Sequence, residues 1–124
     1  MKIKVSEHQL QTEIMNYLKY KGWYVMRLNS GAIQATNRYG NKHMMRLAPA
    51  GTPDLMAFKK ALFGVNVEDV EPIPYVGPSL YFIEVKVEGN KPTLLQTVKM
   101  QELEEYGAKC LVIHSLEELQ EAGF

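Results

Sequence analysis

The chain has little cysteine, no net charge and no long hydrophobic run. Its single cysteine, Cys110, excludes a disulfide bridge within the chain, and its place in the apolar run 108–113 indicates a small buried thiol. The charges of fourteen basic and fourteen acidic residues cancel, so the net charge does not indicate a nucleic-acid partner. Any basic surface has to be local. No apolar stretch has the length of a membrane span, and the first residues lack the pattern of a signal peptide. We therefore expect a soluble, cytoplasmic protein.

The composition predicts one folded domain over residues 1–124. Hydrophobic residues make up 46% of the chain, which is enough to build a single core. The three histidines, His8, His43 and His114, share no ligand spacing, so a zinc site is not expected.

The first helix is predicted to begin after Ser6, because Gln9 completes a capping-box pattern with it. The helix should end before Gly22. Its buried stripe consists of apolar residues at helical spacing: Leu10, Ile14, Tyr17 and Leu18.

The remaining pattern predicts alternating strands and helices. Strands are expected at 23–28, 55–59, 80–87 and 109–114, a helix at 93–106, and a short helix after a second capping-box pattern at Ser115 and Glu118. Residues 32–47 are a polar segment, which we call the polar excursion, and a hairpin turn is predicted in it at 39–42. Residues 60–79 are predicted to form a long loop or an irregular hairpin. Together these elements predict an α/β domain with one central mixed β-sheet flanked by α-helices.

Two short segments carry most of the chemical information. Gly51-Thr52-Pro53-Asp54-Leu55 places an acid between a turn and an apolar strand, and Glu84 and Lys86 interrupt another apolar strand. Alternate residues of a strand face the same side, so Glu84 and Lys86 should project together. Charged groups in a buried strand are costly unless they are paired or hold a metal. The segments therefore predict either a metal-dependent nuclease site or a solvated sheet face with an ordinary ion pair.

The metal hypothesis makes specific demands on these residues. A hard cation such as Mg²⁺ prefers carboxylate, carbonyl and water oxygens. If the two strands are neighbours, the carboxylates of Asp54 and Glu84 converge, and the carbonyl of Val85 can complete the ligand set. Lys86 would then orient the attacking water or balance the charge that develops on a phosphate.

Glu7 and Gln96 are candidates for the same site. Glu7 lies on the core side of the first helix, close to the direction of Leu10, whereas Glu13 lies at the margin of that stripe. Glu7 either completes the metal site or serves the helix dipole at a fraying end. Gln96, in the first turn of the second long helix, either contacts phosphate or the lysine, or is a solvated helix residue.

A basic group lies in the polar excursion: Arg38, Lys42, His43 and Arg46, with Tyr39 among them. It either contacts the DNA backbone or forms a solvated face. Several methionines are interpreted as core or gap-filling residues: Met44, Met45, Met56 and Met100.

At these positions the chain resembles the PD-(D/E)XK nuclease superfamily and, within it, the VRR-NUC (virus-type replication-repair nuclease) group with its small stand-alone phage and bacterial members. The resemblance covers most of the chain and includes the following residues: Ser6-Glu7, Gln11, Tyr17-Leu18, Gly22-Trp23, 27–31, 51–55, 83–86, Lys91, Gln96 and Gly107. It implies a restriction-endonuclease-like core and a Mg²⁺- or Mn²⁺-dependent endonuclease acting on DNA.

The resemblance also implies roles for individual residues. Asp54 and Glu84 would bind metal, Lys86 would be catalytic, and Glu7 and Gln96 would belong to the same site. Stand-alone members resemble Holliday-junction resolvases and act as homodimers, which implies a branched DNA substrate and a second copy as partner. Segment 60–79 is longer than the turn of compact relatives, so dimer geometry and substrate stay open.

Two other functions remain possible on the sequence alone. One is a catalytically silent nucleic-acid-binding module with the same fold. The other is an unrelated α/β protein in which Glu84 and Lys86 form a surface ion pair, and a structure with Asp54 and Glu84 far apart would support it.

Overall fold

The helices and strands follow the predicted order closely. The structure is a computed structural model, and it describes residues 5–28, 32–46, 48–59 and 80–124. Its elements are α1 (Glu7–Tyr20), β1 (Trp23–Arg27), β2 (Ala32–Thr36), β3 (Lys42–Arg46), β4 (Leu55–Lys59), β5 (Tyr81–Val85), α2 (Leu94–Glu105), β6 (Lys109–Ile113) and α3 (Leu116–Glu121). Residues 29–31 and the predicted loop or irregular hairpin at 60–79 lie outside the described residues.

The larger sheet has the strand order β1-β4-β5-β6. β1 and β4 pair antiparallel, as do β4 and β5, whereas β5 and β6 are parallel neighbours. The parallel pair requires a crossover connection, which α2 provides. This mixed sheet with helices on it confirms the predicted fold class.

The polar excursion forms the predicted hairpin, which lies outside the mixed sheet. β2 and β3 form a separate two-stranded antiparallel sheet, because β4 pairs directly with β1 and takes the place that the excursion would need. The turn of this hairpin covers residues 37–41, where the side chain of Asn37 accepts hydrogen bonds from the N–H groups of Tyr39 (2.9 Å) and Asn41 (3.0 Å).

The methionine interpretation holds for Met56 on the larger sheet and Met100 on α2, and it fails on the hairpin. Met100 is buried and Met56 is half-buried, as expected for residues that fill gaps. Met44 and Met45 are 67% and 47% exposed, because they lie on the small sheet away from the core.

The core lies between α1, α3 and one face of the larger sheet. The capping box of α1 is formed as predicted, with the Ser6 N–H donating to Gln9 (2.9 Å) and the Gln9 N–H donating to Ser6 (3.1 Å). The buried residues of the cluster are Leu10, Ile14, Leu18, Val25, Leu55, Ala57, Ile83, Val85, Ile113 and Leu119. Tyr17 closes its edge by donating a hydrogen bond of 2.8 Å to the carbonyl of Phe124. The described part of α1 therefore presents its predicted stripe to the sheet.

The C-terminal elements depart from expectation in one detail. Ser115 accepts from the Glu118 N–H (3.1 Å) and so begins α3 as predicted. The carboxylate of Glu118 contacts the backbone N–H and ring of His114 instead of completing the second capping box. Cys110 is half-buried, and burial, assisted by the nearby Glu104 carboxylate, raises the pKa of its thiol to about 11.

No helix in the described ranges is long and apolar enough to cross a membrane.

Candidate metal centre

Asp54 is fixed by a turn that is packed tightly against α2. Gly51 has a φ of +83°, a conformation that favours glycine, and a Cβ atom there would lie 2.7 Å from the carbonyl oxygen of Leu95. The hydroxyl of Thr52 donates to the carbonyl of Pro49 (2.6 Å) and closes the turn. The N–H of Leu28 donates to the carbonyl of Asp54 (2.7 Å), so the end of β1 holds the backbone of this acid.

The carboxylate of Asp54 is held by the neighbouring strand. Its Oδ2 accepts a hydrogen bond of 2.9 Å from the backbone N–H of Val85, at the end of β5. The predicted convergence of Asp54 and the Glu84–Lys86 segment is therefore present in the structure. The role predicted for the carbonyl of Val85 stays a prediction.

Glu84 is a buried acid whose two carboxylate oxygens have different environments. Its side chain is 1% exposed. Oε1 receives a hydrogen bond from Nε2 of Gln96 (3.1 Å) and lies 3.5 Å from Nζ of Lys86. Oε2 is buried and has no hydrogen-bond partner among the residues that the structure describes. This burial excludes the interpretation of Glu84 and Lys86 as a solvated surface pair.

Lys86 lies one residue beyond β5 and still continues its ladder, since its N–H donates to the carbonyl of Ile113 (3.1 Å). Its side chain therefore projects to the same side as Glu84, as the strand pattern predicted. The side chain of Lys86 is 14% exposed, and its ammonium group lies close to the acid.

Gln96 contacts Glu84 because it caps its own helix. The Thr93 N–H donates to Oε1 of Gln96 (2.9 Å), and the Gln96 N–H donates to the hydroxyl of Thr93 (3.2 Å). This capping box directs the amide NH₂ group toward Glu84. The solvated interpretation of Gln96 was wrong, and the Thr-x-x-Gln pattern at 93–96 was the signal that could have predicted its orientation.

Glu7, at the start of α1, lies beside Asp54 and Glu84. It is the first residue of α1 and is half-buried, whereas Glu13 is exposed. One carboxylate oxygen each from Glu7, Asp54 and Glu84 lies within 4.8 Å of the other two. The N-terminus of α1 adds a partial positive charge near this group of acids.

The electrostatics of the site favour a bound cation. Burial raises the pKa of Glu84 from 4.5 to about 8, the Asp54 carboxylate adds to this rise, and Lys86 opposes it. A buried carboxylate with an unpartnered oxygen and two further acids nearby has too much negative charge for one lysine to offset.

The donor set fits a hard divalent cation. All three acids offer carboxylate oxygens, the ligands that Mg²⁺ and Mn²⁺ prefer, and their spacing permits one ion to contact all of them. The unpartnered Oε2 of Glu84 is an independent observation in favour of this fit. The roles predicted for Glu7, Asp54, Glu84, Lys86 and Gln96 stay predictions.

Comparison with known proteins supports the architecture. No protein-family model and no curated protein matches the chain. A solved structure described as "VRR_NUC domain" is similar to it over 93% of this chain and 90% of that chain, with a TM-score of 0.56 and 19% sequence identity. The chain therefore has the fold of a VRR_NUC domain, as its sequence motifs predicted.

Proposed function

We propose that this protein is a metal-dependent nuclease that hydrolyses phosphodiester bonds of DNA. The observation that carries this proposal is the convergence of Glu7, Asp54 and Glu84 within 4.8 Å beside the ammonium group of Lys86. The VRR_NUC fold supports the same chemistry.

In this proposal Glu7, Asp54 and Glu84 hold the metal, and the carbonyl of Val85 adds a ligand. A bound Mg²⁺ or Mn²⁺ would supply Lewis acidity, by lowering the pKa of water and neutralising charge on the phosphate. Asp54 contributes a carboxylate whose direction is set by the Val85 N–H. This fixed direction reduces the reorganisation that binding would otherwise require.

Lys86 and Gln96 act on the reacting groups and on Glu84. The Lys86 ammonium group can donate a hydrogen bond to the attacking water or to a phosphate oxygen. Gln96 donates to Oε1 of Glu84 and thereby leaves Oε2 for a cation. Gln96 is therefore a positioning residue, and Lys86 is the catalytic residue of the proposal.

The finer points of substrate and assembly are also proposals. A branched DNA substrate and a homodimer are supported by the motif resemblance to stand-alone VRR-NUC proteins. A cleavage panel of flaps, four-way junctions, nicked duplexes and plain duplexes, run beside light scattering for solution mass, tests both points.

The central test is cleavage by variants of the site. We expect Asp54→Ala and Lys86→Ala to reduce Mg²⁺-dependent cleavage by about 100-fold or more, the scale typical of lost electrostatic or acid–base groups. Lys19→Ala is the matched control, because Lys19 is an exposed lysine in the last turn of α1. Circular dichroism establishes that each variant is folded.

Two results would overturn the proposal. One is wild-type cleavage by both Asp54→Ala and Lys86→Ala. The other is the absence of Mg²⁺- or Mn²⁺-dependent cleavage of every DNA in the panel by the original chain, which would favour a silent nucleic-acid-binding module.

A further inference from the structure

The hairpin formed by β2, its turn and β3 has a one-sided charge composition. We call residues 32–46 the hairpin arm. It contains Arg38, Lys42 and Arg46 together with His43, and it has no acidic residue. Because the whole chain is neutral, the remaining residues carry a net charge of −3. The arm is therefore a local positive region on a protein whose remainder is acidic.

The described basic side chains of the arm face solvent. Arg38, Lys42 and His43 are exposed, and none of them forms an ion pair within the described residues. At the turn, the Arg38 guanidinium lies 4.8 Å from the centre of the Tyr39 ring and donates to its hydroxyl (2.6 Å). This contact holds one positive charge at the tip without neutralising it.

The arm lacks the packing that normally stabilises a two-stranded sheet. Among the described elements, β2 and β3 contact each other extensively and no other element to a similar degree. Isolated two-stranded hairpins are at best marginally stable in water. Tyr39 and Met44 are 72% and 67% exposed, so these side chains of the arm lie outside the core.

The chain connection limits how far the root of the arm can lie from the candidate metal centre. The Leu28 N–H donates to the carbonyl of Asp54, and Ala32 begins the arm four residues later. Four residues span at most about 14 Å, so β2 begins within that distance of Leu28. A strand of five residues is about 17 Å long, which is comparable to about five phosphate spacings along one DNA strand.

We propose that the hairpin arm binds the phosphate backbone of duplex DNA next to the bond that is cleaved. This inference rests on the proposed nuclease function. Arg38 and Lys42 would neutralise phosphates and so offset the repulsion between DNA and the acidic remainder of the chain. A two-stranded ribbon has a width that a DNA groove admits, and phosphate contacts position a protein without reading sequence.

The test is DNA binding by an arm variant and a charge-matched control. The double variant Arg38→Gln/Lys42→Gln removes two exposed charges from the arm. Lys19→Gln/Lys21→Gln removes two exposed charges from the end of α1, outside the arm. Binding of a fluorescent 30-base-pair duplex is measured by anisotropy in EDTA, at several salt concentrations, for both variants and the original chain.

We expect the arm variant to bind duplex DNA at least about tenfold more weakly than the original chain. The slope of log K against log salt, which is negative, should become shallower by about 2, one for each lost phosphate contact. The loss should be the same for duplexes of unrelated sequence. Mn²⁺ affinity, measured by calorimetry, should be unchanged in the arm variant. The control variant should keep the original slope.

Unchanged affinity and slope in the arm variant would overturn the inference. So would an arm-dependent self-association in sedimentation runs without DNA, which would assign the arm to a second copy of the chain. Failure of the nuclease proposal is distinguishable: DNA binding would still depend on the arm while no metal-dependent cleavage occurs. Conversely, Asp54-dependent cleavage with arm-independent binding rejects the arm inference alone.

Discussion

Glu84 combines near-complete burial with an oxygen that no described residue satisfies. The carboxyl is stable there in two forms, as a neutral acid or as a carboxylate beside a cation. Lys86 and Gln96 both act on Oε1, so neither compensates Oε2. In the absence of metal, the protonated form is the one that burial favours.

This environment predicts how the stability of the metal-free protein depends on pH. The folded-state pKa of Glu84 is raised from 4.5 to about 8, so the folded protein binds more protons than the unfolded chain within this window. Stability in EDTA should therefore fall as the pH rises from about 4.5 to 8, by an amount on the order of a few kcal/mol, and level off above it. Urea unfolding at pH 5.5, 7 and 8.5 measures this change.

Glu84→Gln provides the matched comparison, since the amide has nearly the same shape and does not titrate. We expect the pH dependence over this window to be clearly smaller in the variant. An identical pH profile for Glu84→Gln and the original chain would contradict the assignment of the proton to this carboxyl.

At the scale of elements, the turn before β4 controls where Asp54 lies. Gly51 and Gly89 both have positive φ, +83° and +90°, but only Gly51 faces another element closely. We expect Gly51→Ala to destabilise the protein by more than Gly89→Ala. Each substitution costs about 1 kcal/mol of folding free energy, because alanine is strained in the left-handed conformation, and only the Cβ atom at position 51 would also clash with the Leu95 carbonyl. Thermal unfolding in EDTA compares them.

The same two variants show whether the turn at Gly51 affects the metal site or only the stability of the protein. Gly51→Ala should also weaken Mn²⁺ binding, since the displaced turn carries Asp54, whereas Gly89→Ala should bind Mn²⁺ normally. Equal effects of the two substitutions on stability and on Mn²⁺ affinity would show that the contact with Leu95 has no consequence.

Elements that depend on local signals were predictable from the sequence. The capping box at Ser6 and the apolar stripe of α1 involve residues within one or two turns, and the bounds of β4 were correct to the residue. The separation of the hairpin arm and the exposure of Met44 were not predictable, because they depend on which strand pairs with β1. That choice involves residues far apart in the chain.

The candidate site shows the same division. Its acids were predicted from strand alternation and the helical wheel, and the motif resemblance connected them. The hydrogen bond from Gln96 to Glu84 was missed, because it requires the capping box of α2 and the position of β5 at once.

For the whole molecule, the three acids connect α1, the β4 turn and β5 in one place. A cation that binds only the folded state stabilises it by mass action, by about 2.7 kcal/mol at 100 times its Kd. We expect saturating Mn²⁺ to raise the Tm of the original chain and of Glu13→Gln, and to raise that of Glu7→Gln much less. Each variant is its own reference in EDTA, which removes the effect of the substitution on basal stability.

If Mn²⁺ does not change the Tm of the original chain, the proposal that the three acids bind a divalent cation is wrong. Equal Mn²⁺ shifts in Glu7→Gln and Glu13→Gln would remove Glu7 from the ligand set and restrict the site to Asp54 and Glu84.

The hydrogen bond from Tyr17 to the carbonyl of Phe124 joins residues 107 positions apart. During translation, α1 leaves the ribosome long before α3 and Phe124 are made, so the nascent chain cannot complete the core around its first helix. Glu7, at the start of that helix, is then fixed against the other acids only after synthesis has passed these late segments. In the nuclease proposal, the metal site is therefore complete only after the segment up to Phe124 has been made.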